Sequence, residues 1–353
     1  MLPLLIALVL ACATHLPAQE STRDSESKNH VQEPLTLEAG GSLIEGYIDW
    51  TKNELVVYGD AVAPDEITNS AQRRLLGFRG AKVVAFRNLL EMVGQVQVDT
   101  ETRVQNVVLA SDSIHVRVQG IIRGARVVAG SQVENDGLYR IALRLPLLGE
   151  FANTVLPEVA SIDPNSYDLS LPYSPPPESD PADSLAAEEE PVVFVPHEPY
   201  TGLLVDTRGL DLQPSMSPQI VSENERIIYG AATVDRAYST KFGIAGYDKD
   251  IERALKSDRL GGEKSNPFVV KATRTAGLYS GDVVLSDFDA TRVLIADGEN
   301  NFLRECRVTF VLGPEPAVFE EVSTDSTHTD TALISEGDEL ELYGETEAGD
   351  QPQ

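Results

Sequence analysis

Between residues 67 and 98 the apolar residues change period, and that switch confines the chain to architectures in which a long helix meets a sheet. Ile67, Ala71, Leu75, Phe78, Lys82, Ala85, Leu89 and Val93 follow one another at three- and four-residue steps. All but Lys82 are apolar, which predicts one face of a long helix. Pro64, Asp65 and Glu66 mark its start, with negative charge where the helix dipole favours it. Gly94 is a natural C-cap. Gly77 and Gly80 lie inside the helix, each at a cost of about 1 kcal/mol against Ala. They signal either close packing on a sheet or a bend.

After the helix the period falls to two. Val96 and Val98 alternate with polar residues, and so do Ile114, Val116 and Val118, with His115 and Arg117 on the opposite face. Val127-Val128 and the set Tyr139, Ile141, Leu143, Leu145 continue the pattern, and Asn135-Asp136-Gly137 marks a tight hairpin turn. Leu55 to Gly59 reads as a strand before the helix. These elements predict an α+β fold over residues 43–149, a two-layer sandwich of a helix on an antiparallel sheet.

A second, small mixed α/β domain is expected over 200–314. Gly202 to Asp206 reads as a strand running into the turn Thr207-Arg208-Gly209, and Pro267 to Lys271, Val283 to Leu285 and Val308 to Leu312 as further strands. Asp248 to Leu255 predicts a short helix, and Ser286 can cap another with Asp289 three residues on. Residues 13–42 read as a polar tether and 150–199, with Ser174-Pro175-Pro176-Pro177 and Glu188-Glu189-Glu190, as an extended linker. Residues 315–353 hold twelve acidic residues and no Lys or Arg, the composition of an acidic disordered tail.

Residues 1–12 have the layout of an export signal. An apolar run from Leu2 to Ala11, too short to span a bilayer, ends in Val9-Leu10-Ala11-Cys12. The tetrad resembles a bacterial lipoprotein signal, in which Cys12 is lipidated and becomes the mature N-terminus. The n-region carries no Lys or Arg. Cleavage after Ala13 or Ala18 and a buried N-terminal strand are the other readings.

The chain carries 56 acidic and 28 basic side chains in 353 residues, a net charge of -28. A field of that sign argues against nucleic acid and against any anionic surface. With Cys12 lipidated or removed, Cys306 remains alone, so no internal disulfide forms, and its apolar surroundings predict a buried, inert thiol. No cofactor is expected. The five histidines show no HxH or HExxH spacing, and neither a nucleophile elbow nor a phosphate-binding glycine loop is present. The best candidate centre is Asp206 with Arg208 at a strand end near Tyr200. It offers a carboxylate base or cation holder, or simply a pair that fixes a turn. The helix set Arg73, Arg74, Arg79, Lys82 and Arg87 is the second candidate, read either as an anion-binding face or as solvated charge.

Two stretches carry a family likeness. Arg79-Gly80-Ala81, Ala85, Phe86-Arg87-Asn88-Leu89-Leu90-Glu91, Gly94, Val96 and Val98 resemble the signature of the LPP20-type lipoprotein family, and the likeness continues through Val118 to Ala125 and the strand after Asp136-Gly137. A similar domain stands at the N-terminus of an envelope protein that helps assemble the flagellar basal-body ring. The resemblance implies an envelope lipoprotein near flagella or another outer-membrane machine, and implies no catalytic residue. Tyr200 to Leu210, with Pro214 and Pro218 behind it, also looks like a module of exported proteins with this kind of first domain. The expectation is therefore a non-enzymatic outer-membrane or periplasmic scaffold of two domains on flexible connections, working with envelope proteins or by self-association. A glycan- or small-molecule-binding module with a pocket containing Tyr200, Asp206 and Tyr229 is the second reading. A hydrolase centred on Asp206 is the third, and would need a raised carboxyl pKa and a partner base.

Overall fold

The computed structural model describes residues 30–39, 42–162, 199–298 and 300–314. The leader with Cys12, most of the tether, the central part of the linker and the acidic tail lie outside them.

The first region is an antiparallel sheet. Its strands are β1 (Gln32–Ala39), β2 (Ser42–Asp49), β3 (Glu54–Val62), β4 (Arg126–Val127), β5 (Val133–Asn135) and β6 (Leu138–Pro146). They run in the order β1-β2-β3-β6-β4, with β5 also paired to β6. The hairpin turn read at Asn135-Asp136-Gly137 joins β5 to β6, with φ of 48° at Asp136 and 80° at Gly137, as a two-residue turn matched to strand twist requires. Helix α1 (Ser70–Met92) packs across β3 and β6, giving the expected helix-on-sheet sandwich.

The seating of α1 follows the predicted face at Ala85, Leu89 and Val93, which are buried, and departs from it toward the N-terminal half. The buried residues are Gly77, Ala81, Ala85, Asn88, Leu89 and Met92, whereas Leu75 is 71% exposed and Lys82 is exposed. Small residues put the helix backbone close to the sheet. A Cβ on Gly77 would come within 2.2 Å of the Tyr139 ring, and one on Gly59 of β3 within 2.3 Å of the Ala85 nitrogen. Close packing, rather than a bend, is thus the reason for Gly77 in an unbroken helix. The start lies at Asn69, whose side chain accepts from the Gln72 N–H at 3.0 Å, so Pro64 to Glu66 precede the helix.

Three further boundaries differ from expectation. Residues 32–39, placed in the tether, form β1, because Leu35, Leu37 and Ala39 alternate with polar neighbours and pack on the core. Ile114 to Val118 is not a strand. It lies in helix α3 (Asp112–Arg123), which follows α2 (Val104–Ala110). The competing four-residue step from Val118 to Ile122 defines the buried face, and Val116 is 67% exposed. The linker begins later than expected, since α4 (Glu150–Val155) buries Phe151, Ala152 and Val155.

The second region contains a parallel sheet in the order β10-β14-β7-β11. Its strands are β7 (Gly202–Asp206), β10 (Gly246–Asp248), β11 (Pro267–Lys271) and β14 (Val308–Val311). A mixed sheet, β12-β13-β8-β9, joins β8 (Ile220–Ser222), β9 (Ile227–Tyr229), β12 (Arg274–Ala276) and β13 (Asp282–Leu285). Four successive buried residues in β7, β13 and β14 are what strands covered on both faces require. Helices α5 (Arg236–Phe242), α6 (Ile251–Leu255) and α7 (Asp287–Asp297) complete it. The cap read at Ser286 is present, its hydroxyl accepting from the Asp289 N–H and donating to the Asp289 carboxylate, both at 3.0 Å.

The two regions pack directly against one another. They form one compact unit with a continuous core in which Ile48, Leu55 and Phe151 join Leu203, Val205 and Phe310. Trp50 meets Tyr247 edge-on at 5.9 Å. The Met216 and Ser217 N–H groups donate to the carbonyls of Gln97 and Val98 at 3.0 and 2.7 Å, and the Gly149 N–H donates to the Thr240 carbonyl at 2.7 Å. Val96 and Val98, read as strand residues, instead support this seam.

Candidate functional site

Open parallel sheets bind ligands beyond the C-terminal ends of their strands, and Asp206 and Asp248 occupy those positions on β7 and β10, on either side of β14. Each carboxylate is already held. The Arg208 guanidinium donates from Nε and Nη2 to the two Asp206 oxygens at 2.8 and 2.7 Å, and the Arg208 backbone N–H adds a third bond at 3.1 Å. Arg253 likewise donates from Nε to Asp248 at 2.8 Å. Thr207 ties the same loop to β14 through bonds to the Val311 carbonyl, and the Gly209 N–H donates to Gly313.

The consequence for chemistry is direct. The hydrogen bonds from Arg208 hold the Asp206 carboxyl below the usual carboxylate range, outweighing partial desolvation. Such a group stays ionised at neutral pH and its oxygens point at Arg208. The arrangement fixes the turn after β7, and the lowered pKa makes Asp206 a weaker base than an ordinary carboxylate.

The other sequence candidates do not converge on this rim. Tyr200 precedes the opposite end of β7, roughly 20 Å away along an extended strand, where its ring meets Phe268 edge-on at 5.0 Å. Tyr229 lies in the other sheet, fully buried, and its hydroxyl donates to the Ile244 carbonyl. Burial raises its pKa well above the ordinary tyrosine value. The pocket expected to contain Tyr200, Asp206 and Tyr229 is therefore absent among the described residues, because the strand separates two of them and the sheet boundary isolates the third. Arg79 and Arg87 are exposed on α1. Arg73, by contrast, is occupied by the carbonyls of Ile67 and Asp65 at 3.0 and 3.1 Å.

Cys306 is buried, in a turn just before β14 rather than in the strand, and burial pushes its thiol up to about 11. Among the described residues no group of three His, Cys, Asp or Glu side chains is placed to hold a metal.

Several residues carry structural chemistry that the sequence did not announce. The Arg259 guanidinium donates to the carbonyls of Gly243, Phe242 and Cys306, bordering a cavity of about 270 Å³ with Tyr238 and Phe242. Asp282 and Asp297 are buried carboxyls whose pKa values desolvation lifts to about 6. Each accepts one backbone N–H, from Gln219 at 2.9 Å and from Leu303 at 2.8 Å. Burial of this kind depends on tertiary packing, and no local motif marks it.

Residues 202–314 match the family defined by the second domain of Tp0624 from Treponema pallidum. The match runs from the first residue of β7 to just beyond β14. No curated protein matches the chain.

Proposed function

We propose that the protein is a non-enzymatic scaffold or assembly factor of a bacterial envelope, exported by its leader, anchored through Cys12, and acting by protein–protein contact. The observation that carries this reading is the fusion of the two regions through one core. The result is a single compact body whose most prominent carboxylate pairs hold loops. Large apolar side chains left outside, such as Leu109 at 84% and Leu278 at 73% exposed, suit a protein that meets other proteins. The likeness to LPP20-type proteins extends the reading to an outer-membrane machine such as the flagellum. The hydrolase reading asks Asp206 for a raised pKa, and its pKa is depressed. The binding-module reading asks for convergence of Tyr200, Asp206 and Tyr229, which lie apart.

Intact-mass analysis of the protein expressed with its own leader in a Gram-negative host, beside Cys12→Ser, tests the anchored form. A lipid mass on Cys12 that the substitution abolishes, together with membrane fractionation, is the expected result. A lipid-free chain beginning at Thr14 or Gln19 would overturn the anchor.

A further inference from the structure

The charge of the chain is unevenly placed. Residues 163–198 hold nine acidic side chains and residues 315–353 twelve, with no Lys or Arg in either. Helix α1 carries five basic residues, Arg73, Arg74, Arg79, Lys82 and Arg87, against one acid, Glu91. Its outward face is also apolar. Leu76, Val83 and Leu90 follow at seven-residue steps, so they lie along one line two turns apart, and they are 37%, 65% and 45% exposed. Leu75, 71% exposed, lies about 80° round the helix from Val83, on the flank that carries Arg79 and Lys82. Arg79 and Lys82 flank the line on one side and Arg87 on the other. All three cations are exposed, and Lys82 does no more than lie over the Phe86 ring at 5.7 Å.

We propose that this face of α1 rests on an anionic lipid leaflet. An apolar line with cations on both flanks is the cross-section of an interfacial helix. The aliphatic residues sink to the acyl boundary, and the long basic side chains reach the headgroups. Four aliphatic side chains fall short of the roughly 800 Å² that a standard protein interface takes from each partner, whereas a lipid surface asks only for shallow insertion and opposite charge. Helix α1, with five bases against one acid, then gives the molecule a face of the sign an anionic leaflet attracts. Total charge alone does not forbid this contact: screening limits electrostatics to about 10 Å, so the local sign decides. The proposal holds whether or not Cys12 is acylated.

The test is co-sedimentation of the full chain carrying Cys12→Ser with phosphatidylcholine vesicles, with and without phosphatidylglycerol, at low and high salt. Binding that requires phosphatidylglycerol and weakens with salt is expected. Each juxtamembrane cation contributes roughly fivefold to partitioning, so Arg79→Gln with Arg87→Gln lowers binding by about 25-fold. Val83→Ser weakens it several-fold, and Arg274→Gln, an exposed cation of the second region, leaves it unchanged. Equal binding to neutral vesicles, or an equal loss in Arg274→Gln, would overturn the proposal. So would substitutions that dissolve a dimer in light scattering while leaving vesicle binding intact, since the face would then be a protein contact.

Discussion

Replacing Asp297 by Asn isolates the energetic consequence of burying a carboxyl without a cation. Asp297 is 3% exposed, ends α7, and accepts the Leu303 N–H at 2.8 Å. An Asn Oδ1 accepts the same bond, so the substitution removes charge and little else. Desolvation lifts the folded-state pKa to about 6, against an ordinary value of 3.8. The folded protein therefore binds this proton more tightly than the unfolded chain between about pH 4 and 6, and stability falls as pH rises through that window. The full shift corresponds to about 3 kcal/mol, and residual solvent access reduces it to about 1–2 kcal/mol. Asp297→Asn is expected to be more stable than wild type by that amount near pH 8, with about half the gain remaining near pH 5. Urea unfolding followed by Trp50 fluorescence measures this, since Trp50 is the chain's single tryptophan, fully buried, and sits at the seam against Tyr247. A gain that does not change between pH 5 and 8, or none at pH 8, would refute the argument.

Three further substitutions probe the packing and the rim. Gly120, inside α3, has nothing within 4 Å of an added Cβ, whereas Gly77 faces the Tyr139 ring. Gly120→Ala should add about 1 kcal/mol of stability through helix propensity, and Gly77→Ala should cost about 1–3 kcal/mol through overpacking; thermal melts compare them directly. Asp206→Asn should cost about 1 kcal/mol at neutral pH by stripping Arg208 of its charge-assisted partner. Because the Asp206 pKa is depressed, that cost should disappear as pH falls below about 4, and a double-mutant cycle with Arg208→Ala should recover the coupling.

The parts of the fold legible in the sequence are those set by local patterns. The continuous apolar runs of β7, β13 and β14, the Asp136-Gly137 turn and the Ser286 cap each follow from a few neighbouring residues. The errors arose where two periods compete or where packing inverts the ordinary meaning of a residue. Ile114, Val116 and Val118 alternate as a strand would, yet Val118 and Ile122 are the buried pair, and only the neighbouring helices decide between the two. On α1 the predicted Ala85, Leu89 and Val93 are buried, whereas Gly77 and Ala81 take inner positions and Leu75 and Lys82 stay outside, because a close helix–sheet approach selects for absence of bulk. The candidate site was legible as an Asp-Arg pair at a strand end. That Tyr200 and Tyr229 lie elsewhere depends on sheet order, which no local pattern encodes.

The same distinction between local and summed quantities bears on how the molecule is used. A total charge of -28 describes a chain, whereas a partner meets a face. The described residues on either side of the linker are nearly balanced, with 16 acids and 12 bases within 30–162 and 15 acids and 14 bases within 199–314. Within the first region the helix packed across β3 and β6 has the opposite sign to the chain. The acidic segments 163–198 and 315–353 belong to the same chain as that helix, so they can compete for it. Effective concentration within one chain reaches the millimolar range, so the face would engage only surfaces of high charge density, and weakly anionic ones would lose to the protein's own carboxylates. Raising the phosphatidylglycerol fraction should therefore give a threshold in vesicle binding rather than a gradual rise. A linear dependence would show that the acidic segments leave α1 free.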